Sequence, residues 1–158
     1  MIRDGESILR TSEQTHRFNC PYQLSLPTPG YGSISGKTNI ILKFKVLNKL
    51  RLFLKLKISD SPHQADSYNL DLLSGDIIIA GTDGLFDNVP DSLIIEIMRS
   101  LTDENLSERM EELCQLCLAI ANDNNYLSPF AIEARKHGYP NEKGGKMDDL
   151  TVVVQFLL

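Results

Sequence analysis

The chain has 158 residues, enough to bury one hydrophobic core and too few for two ordinary domains. Hydrophobic residues make up 42% of it, yet no run of about 18 uncharged apolar residues offers a membrane-spanning helix. The net charge of −5 is unevenly spread: seven Lys and Arg and no acid lie between Gly36 and Ile58, against nine basic and 21 acidic residues elsewhere. That acidic body argues against general nucleic-acid binding.

The first residues carry Arg3, Asp4, Glu6, Arg10 and Glu13, so they lack both the apolar core of a signal peptide and the acid-poor character of a transit peptide. Met1 to Arg10 reads as a β-hairpin turning at Asp4-Gly5, a dipeptide that tolerates the positive φ angles of a tight turn. Only a stub of its first strand is expected. The β-branched run Ile77-Ile78-Ile79-Ala80-Gly81 reads as a buried strand that delivers Thr82-Asp83-Gly84. Pro90-Asp91-Ser92 marks a helix start with Asp91 as N-cap, and Leu93, Ile94, Ile97, Met98 and Leu101 form its apolar stripe. A second helix is predicted from Ser107 to Ala121, its inner face taking Met110, Leu113, Cys117 and Ile120. Residues 122 to 145 read as a long loop carrying Pro129, Gly138 and Pro140. Gly144-Gly145-Lys146-Met147-Asp148-Asp149 then opens a final strand, Leu150-Thr151-Val152-Val153-Val154. Strands, two helices, a loop and a strand, without strict alternation, predict an α+β fold.

The chemistry concentrates in Asp83 and Asp148. If their strands are antiparallel neighbours, the end of one lies beside the start of the other and both carboxylates meet at one edge of the sheet. Hard cations such as Mg²⁺ and Mn²⁺ take oxygen ligands and keep several waters, so a few carboxylates suffice. On spacing alone a plainer arrangement is favoured, with Asp83 capping a turn and Asp148 a strand loop. Gly84 removes a side chain where backbone approaches the site, or is a simple turn glycine. Asp149 is expected to orient the loop or bound water. Asp87 and Asn88 are expected to cap the turn before Pro90 and at most to support the ligands from behind. Cys114 and Cys117 lie within one helix with no second pair and read as helix packing rather than a zinc or redox site. The three cysteines form no disulfide framework, which fits a reducing compartment. His16, His63 and His137 are scattered and suggest no nucleophile–base pair.

The run from Ile78 to Asn88, together with Gly144 to Val153, resembles the PPM family of metal-dependent protein phosphatases, or type 2C protein phosphatases. Arg3-Asp4-Gly5-Glu6, Phe18 to Leu24, Asp60-Ser61-Pro62 and Asn125 to Ala131 resemble more narrowly its mitochondrial branch, the T-cell activation phosphatase homologues. The resemblance favours Asp83 and Asp148 as metal ligands and implies an incomplete PPM-type β-sandwich flanked by helices, with residues 1–158 as its C-terminal part. It implies a protein serine/threonine phosphatase using Mg²⁺ or Mn²⁺, a phosphoprotein substrate and a mitochondrial location. In such a mechanism two cations, roughly 3.5 to 4 Å apart, clamp the phosphate and activate the attacking water. The family's N-terminal Asp-Gly motif, whose aspartate bridges both metals, has no counterpart before Asp4-Gly5. The alternative is therefore a truncated, non-catalytic product or gene-model fragment that acts at most as a binding module.

Relatives join the Tyr22-Gln23-Leu24 segment to Asp60-Ser61-Pro62 by a short linker, so residues 31–58 read as foreign to the fold. Their Lys, Asn, Ile, Phe and Leu bias suits retained intron, with a genuine insertion as the other reading. Leu50, Leu52, Leu54, Leu56 and Ile58 alternate with Arg51, Phe53, Lys55 and Lys57, a period of two that predicts extended structure. A basic helix lying on a membrane surface fits that period less well.

Overall fold

The computed structural model of the chain describes residues 1–23, 60–140 and 142–158. It divides into two compact units, Met1–Ser12 with Leu70–Leu158, and Glu13–Asn69. The expectation for residues 31–58 lies outside the described residues.

The larger unit is built on a four-stranded antiparallel sheet in the order β2-β1-β5-β6. Its strands are β1 (Ile2–Arg3), β2 (Glu6–Ser7), β5 (Ile77–Gly81) and β6 (Val152–Phe156). Asp4 and Gly5 both have positive φ, 52° and 76°, as a tight hairpin turn with right-handed strand twist requires. The central pair runs in unbroken register from Ile77 opposite Phe156 to Gly81 opposite Val152. Because side chains alternate along a strand, Ile77, Ile79, Val152, Val154 and Phe156 share one face and join the core.

Four helices follow β5: α1 (Asp83–Phe86), α2 (Asp91–Met98), α3 (Leu106–Asn122) and α4 (Pro129–Lys136). Leu85, Ile94, Ile97, Met98, Leu113, Cys117 and Ile120 form the buried side of the first three against the sheet. Leu85, Met98 and Leu113 are fully buried, and truncating any of them to Ala is expected to cost about 2–5 kcal/mol. No helix among the described residues is long and apolar enough to cross a membrane.

Three expectations need correction. Pro90, not Asp91, holds the extended cap conformation of α2, and Asp91 is its first helical residue, accepting a hydrogen bond from Arg10 at 3.1 Å. Proline's fixed φ suits the cap, and its ψ of 145° sets the entry angle. The stretch predicted as loop contains α4: Ser128 caps it by accepting from the Ala131 N–H, Pro129 occupies the first turn, and Arg135 and Lys136 sit at the C-terminal end. The last strand begins at Val152 rather than Leu150, because Thr151 pairs with Thr82 beyond the end of the ladder.

The smaller unit contains a two-stranded hairpin, β3 (Thr15–Arg17) and β4 (Cys20–Pro21), with Asn19 at a φ of 52° in its turn. Asp60 anchors this unit, accepting from the Gln23 N–H at 2.7 Å and lying 2.9 Å from His16 Nε2. Ser61 and Gln64 then form a reciprocal capping box around the short 3₁₀ turn Pro62–Gln64.

Candidate active site

The site forms where the ladder between β5 and β6 ends. Antiparallel pairing of Gly81 with Val152 sets Thr82 beside the residues just before β6. Thr82 fastens the two segments together. Its N–H donates to Thr151 O at 3.0 Å, its hydroxyl donates to Asp149 O at 2.7 Å, and the Thr151 N–H donates to that hydroxyl oxygen at 3.1 Å. A Cβ on Gly84 would lie 2.5 Å from Asp149 O, so this close approach of two backbones requires glycine.

The entering loop is held just as closely. Gly144 has a φ of 96°, and a Cβ on Gly145 would overlap the Ile120 carbonyl and lie 2.5 Å from Ala121 Cα at the end of α3. Gly144 N–H donates to Tyr126 O, Gly145 N–H to Asp123 O, and the buried Ser128 hydroxyl to Gly144 O. The connection between α3 and α4 thus fixes the loop's path.

Asp83 and Asp148 converge, on one ammonium. Lys146 Nζ lies 3.1 Å from Asp83 Oδ2, 3.2 Å from Asp148 Oδ2 and 2.6 Å from Asp87 Oδ2. Asp83 and Asp87 are one helical turn apart, which puts both carboxylates on the same side of α1. Three carboxylates around one lysine leave a local surplus of two negative charges. Side-chain exposure is 53% at Asp83 and 36% at Asp148 but only 14% at Asp87, so the first two can be reached by an incoming cation.

Burial acts against the Lys146 charge, but hydrogen bonds to Asp87, Asp83 and Asp148 outweigh it and raise its pKa. Asp87 responds differently to the same bond: burial pushes its carboxyl up, and Lys146 offsets only part of that because Asp83 and Asp148 add like charge. Asp148 is lowered, first by the Asp149 N–H and then by Lys146. Asp149 serves through its backbone, while its side chain is exposed.

Lys146 is the participant that sequence reasoning missed, and the role of Asn88 is larger than expected. Asn88 is 1% exposed and does more than cap a turn. Its Nδ2 donates to Gly84 O and to Lys146 O, both at 2.8 Å, while Oδ1 accepts from the Lys146 N–H at 2.8 Å. Asp87 is the C-cap of α1, its N–H donating to Asp83 O at 2.8 Å; its side chain also meets Lys146, and its backbone carbonyl accepts from the Phe130 N–H at the start of α4. The four-residue spacing of Asp83 and Asp87 was a readable signal for their shared side; nothing local marked Lys146 as their partner. Cys117 is buried in α3, donates to Gly84 O at 3.2 Å, and has its thiol pKa raised by burial, whereas Cys114 is half-buried.

Among the described residues no group of three or more His, Cys, Asp or Glu stands ready to hold a metal ion. The donor set nonetheless fits a hard cation, since it offers only carboxylate oxygens and already gathers them around positive charge.

No protein-family model matches the chain. It is 36% identical to the protein phosphatase PTC7 homolog of Danio rerio and 35% identical to that of Homo sapiens, in each case over 99% of its length. The matches cover 46% and 45% of those proteins. The crystal structure of the photosystem II phosphatase PBCP shares the fold with a TM-score of 0.70 and 28% identity, over 97% of this chain and 52% of that one. With its antiparallel sheet, flanking helices and paired aspartate loops, the chain is similar over nearly its whole length to protein phosphatases of the PPM type, and it spans about half the length of the curated relatives it matches.

Proposed function

We propose that this chain supplies metal-binding carboxylates to a phosphatase that hydrolyses phosphoserine and phosphothreonine esters in proteins. The observation that carries the reading is the meeting of Asp83 and Asp148 at one point, from the ends of neighbouring antiparallel strands. Asp83 and Asp148 would hold Mg²⁺ or Mn²⁺. When bound, such ions neutralise the phosphate and make a water acidic enough to attack at neutral pH. Asn88 fixes the spacing of the two carboxylate-bearing loops, and Thr82 and Gly84 hold their backbones together. The mitochondrial setting that the resemblance implies is part of the same proposal, and imaging of the tagged protein checks it.

The test is titration of Mn²⁺ into the 158-residue chain by calorimetry, alongside Asp83→Asn and Asp148→Asn. Binding that either substitution weakens at least tenfold supports the reading. Binding indifferent to both overturns it.

A further inference from the structure

We infer that Lys146 is an internal counter-ion that holds the position a divalent metal would take between Asp83 and Asp148, and must withdraw from both toward Asp87 for the metal to bind. This inference rests on the metal reading above. The lysine is placed for the role by its main chain as well as its charge. Asn88 pins both the N–H and the carbonyl of Lys146, so its side chain starts from a fixed point beside α1. From there the ammonium touches all three carboxylates and lies 5.1 Å from the centre of the Phe130 ring. No other cation among the described ion pairs contacts more than one carboxylate in this way.

Electrostatics gives the direction of the effect. Without Lys146, three carboxylates would face each other with no balancing charge, which destabilises the metal-free chain. The same deletion removes a positive charge that would repel an arriving divalent ion at close range. An ion of charge two also meets each carboxylate more strongly than an ammonium does. The lysine therefore keeps the metal-free loops together while lowering the affinity of the site for metal. Asp87, the least exposed carboxylate and the closest to Nζ, is where the ammonium is expected to remain when Asp83 and Asp148 turn to the ion.

The experiment compares Mn²⁺ affinity and metal-free thermal stability of the wild-type chain, Lys146→Met and Lys146→Arg. Circular dichroism establishes that each variant is folded. Lys146→Met should bind Mn²⁺ about tenfold or more tightly than wild type, and melt at a lower temperature without metal. Lys146→Arg, which keeps the charge, should bind no more tightly than wild type. A second readout is the rate of Lys146 acetylation by an amine-reactive ester, followed by peptide mass spectrometry. Mn²⁺ should raise that rate several-fold and leave Lys136 and Lys143 unchanged. If wild type binds Mn²⁺ and Lys146→Met binds equally or more weakly, the counter-ion role is overturned and the metal reading stands. Unchanged Lys146 acetylation on Mn²⁺ binding overturns it in the same way. If neither chain binds Mn²⁺, the metal reading fails and the counter-ion role falls with it.

Discussion

The Asn88 side chain pairs with the Lys146 main chain in both directions, its amide nitrogen donating to the carbonyl and its amide oxygen accepting from the N–H, each at 2.8 Å. One buried residue thereby imitates a strand neighbour between two loops 58 positions apart. It also supplies a partner to Gly84 O.

Replacing Asn88 by Ala removes all three hydrogen bonds and leaves the Lys146 N–H and carbonyl without that partner, while Gly84 O keeps the Cys117 thiol. Each such group costs about 1–3 kcal/mol, so the variant should lose about 2–4 kcal/mol of stability. Asn88→Asp is the more specific probe. It keeps the shape but turns a carboxylate oxygen toward the Gly84 and Lys146 carbonyls, and adds like charge beside Asp83, Asp87 and Asp148. Urea denaturation of both variants checks this; a loss under 0.5 kcal/mol, within the range of ordinary surface substitutions, would show that the clasp is dispensable.

Gly145 sets the path of the loop against α3. Gly145→Ala would drive a methyl into the Ile120 carbonyl, which is backbone and cannot rotate away. The loop must then shift outward, carrying Lys146 and Asp148 from Asp83. The variant should lose stability and Mn²⁺ affinity together, whereas Gly138→Ala should lose stability alone. Gly138 has a positive φ of 97° but open space around its Cβ position, and it lies apart from the loop. Calorimetry and thermal melts on the pair separate the two outcomes.

The framework of the site was legible because it rests on local pattern. Ile77 to Gly81 is a β-branched run of strand length, and valines at 152 to 154 give its partner, so the meeting of Asp83 and Asp148 follows once the two strands pair. The misses have local causes too. Pro129 reads as a breaker unless Ser128 is taken with it as a cap followed by a first-turn proline, and then Arg135, Lys136 and Gly138 complete a helix signature. Asn88 and Lys146 could not be read this way. Their roles depend on the loop at 144–149 passing beside α1, and no residue near either one states which distant backbone it will meet.

Asp76 is expected to contribute to the behaviour in acid. Arg3 reaches it with Nε at 2.6 Å and Nη2 at 2.7 Å, and the Leu73 N–H adds a third bond at 2.9 Å. The Arg3 hydrogen bond first, and the Leu73 N–H second, hold its pKa at about 2, below the ordinary 3.8. A depressed carboxyl pKa stabilises the fold above the unfolded value and ceases to do so as pH falls through the folded value. Stability should therefore drop between about pH 4 and pH 2 as this contribution is withdrawn. Asp76→Asn should be less stable near neutrality and show a flatter fall over that window. Thermal melts at half-unit pH steps test it; a variant with the wild-type slope would assign the acid transition to other carboxyls.

The last prediction concerns stoichiometry and turnover of the 158-residue chain assayed by itself. A two-cation clamp brings four positive charges into one site, and metal-bridging carboxylates must balance most of them. Around Lys146 the chain offers three, one of which is the deeply placed Asp87. Residues 24 to 59 contain no Asp, Glu, His or Cys, so that stretch cannot supply a further acidic ligand. Calorimetry should accordingly find one tightly held Mn²⁺ per chain rather than two. Hydrolysis of phosphoserine and phosphothreonine peptides should be at least a hundredfold slower than by the full-length Danio rerio or Homo sapiens relative, about 2.7 kcal/mol in barrier height. Two tight sites, with turnover near that of the relatives and abolished by Asp83→Asn, would show that this chain completes a two-metal centre from ligands other than the carboxylates around Lys146.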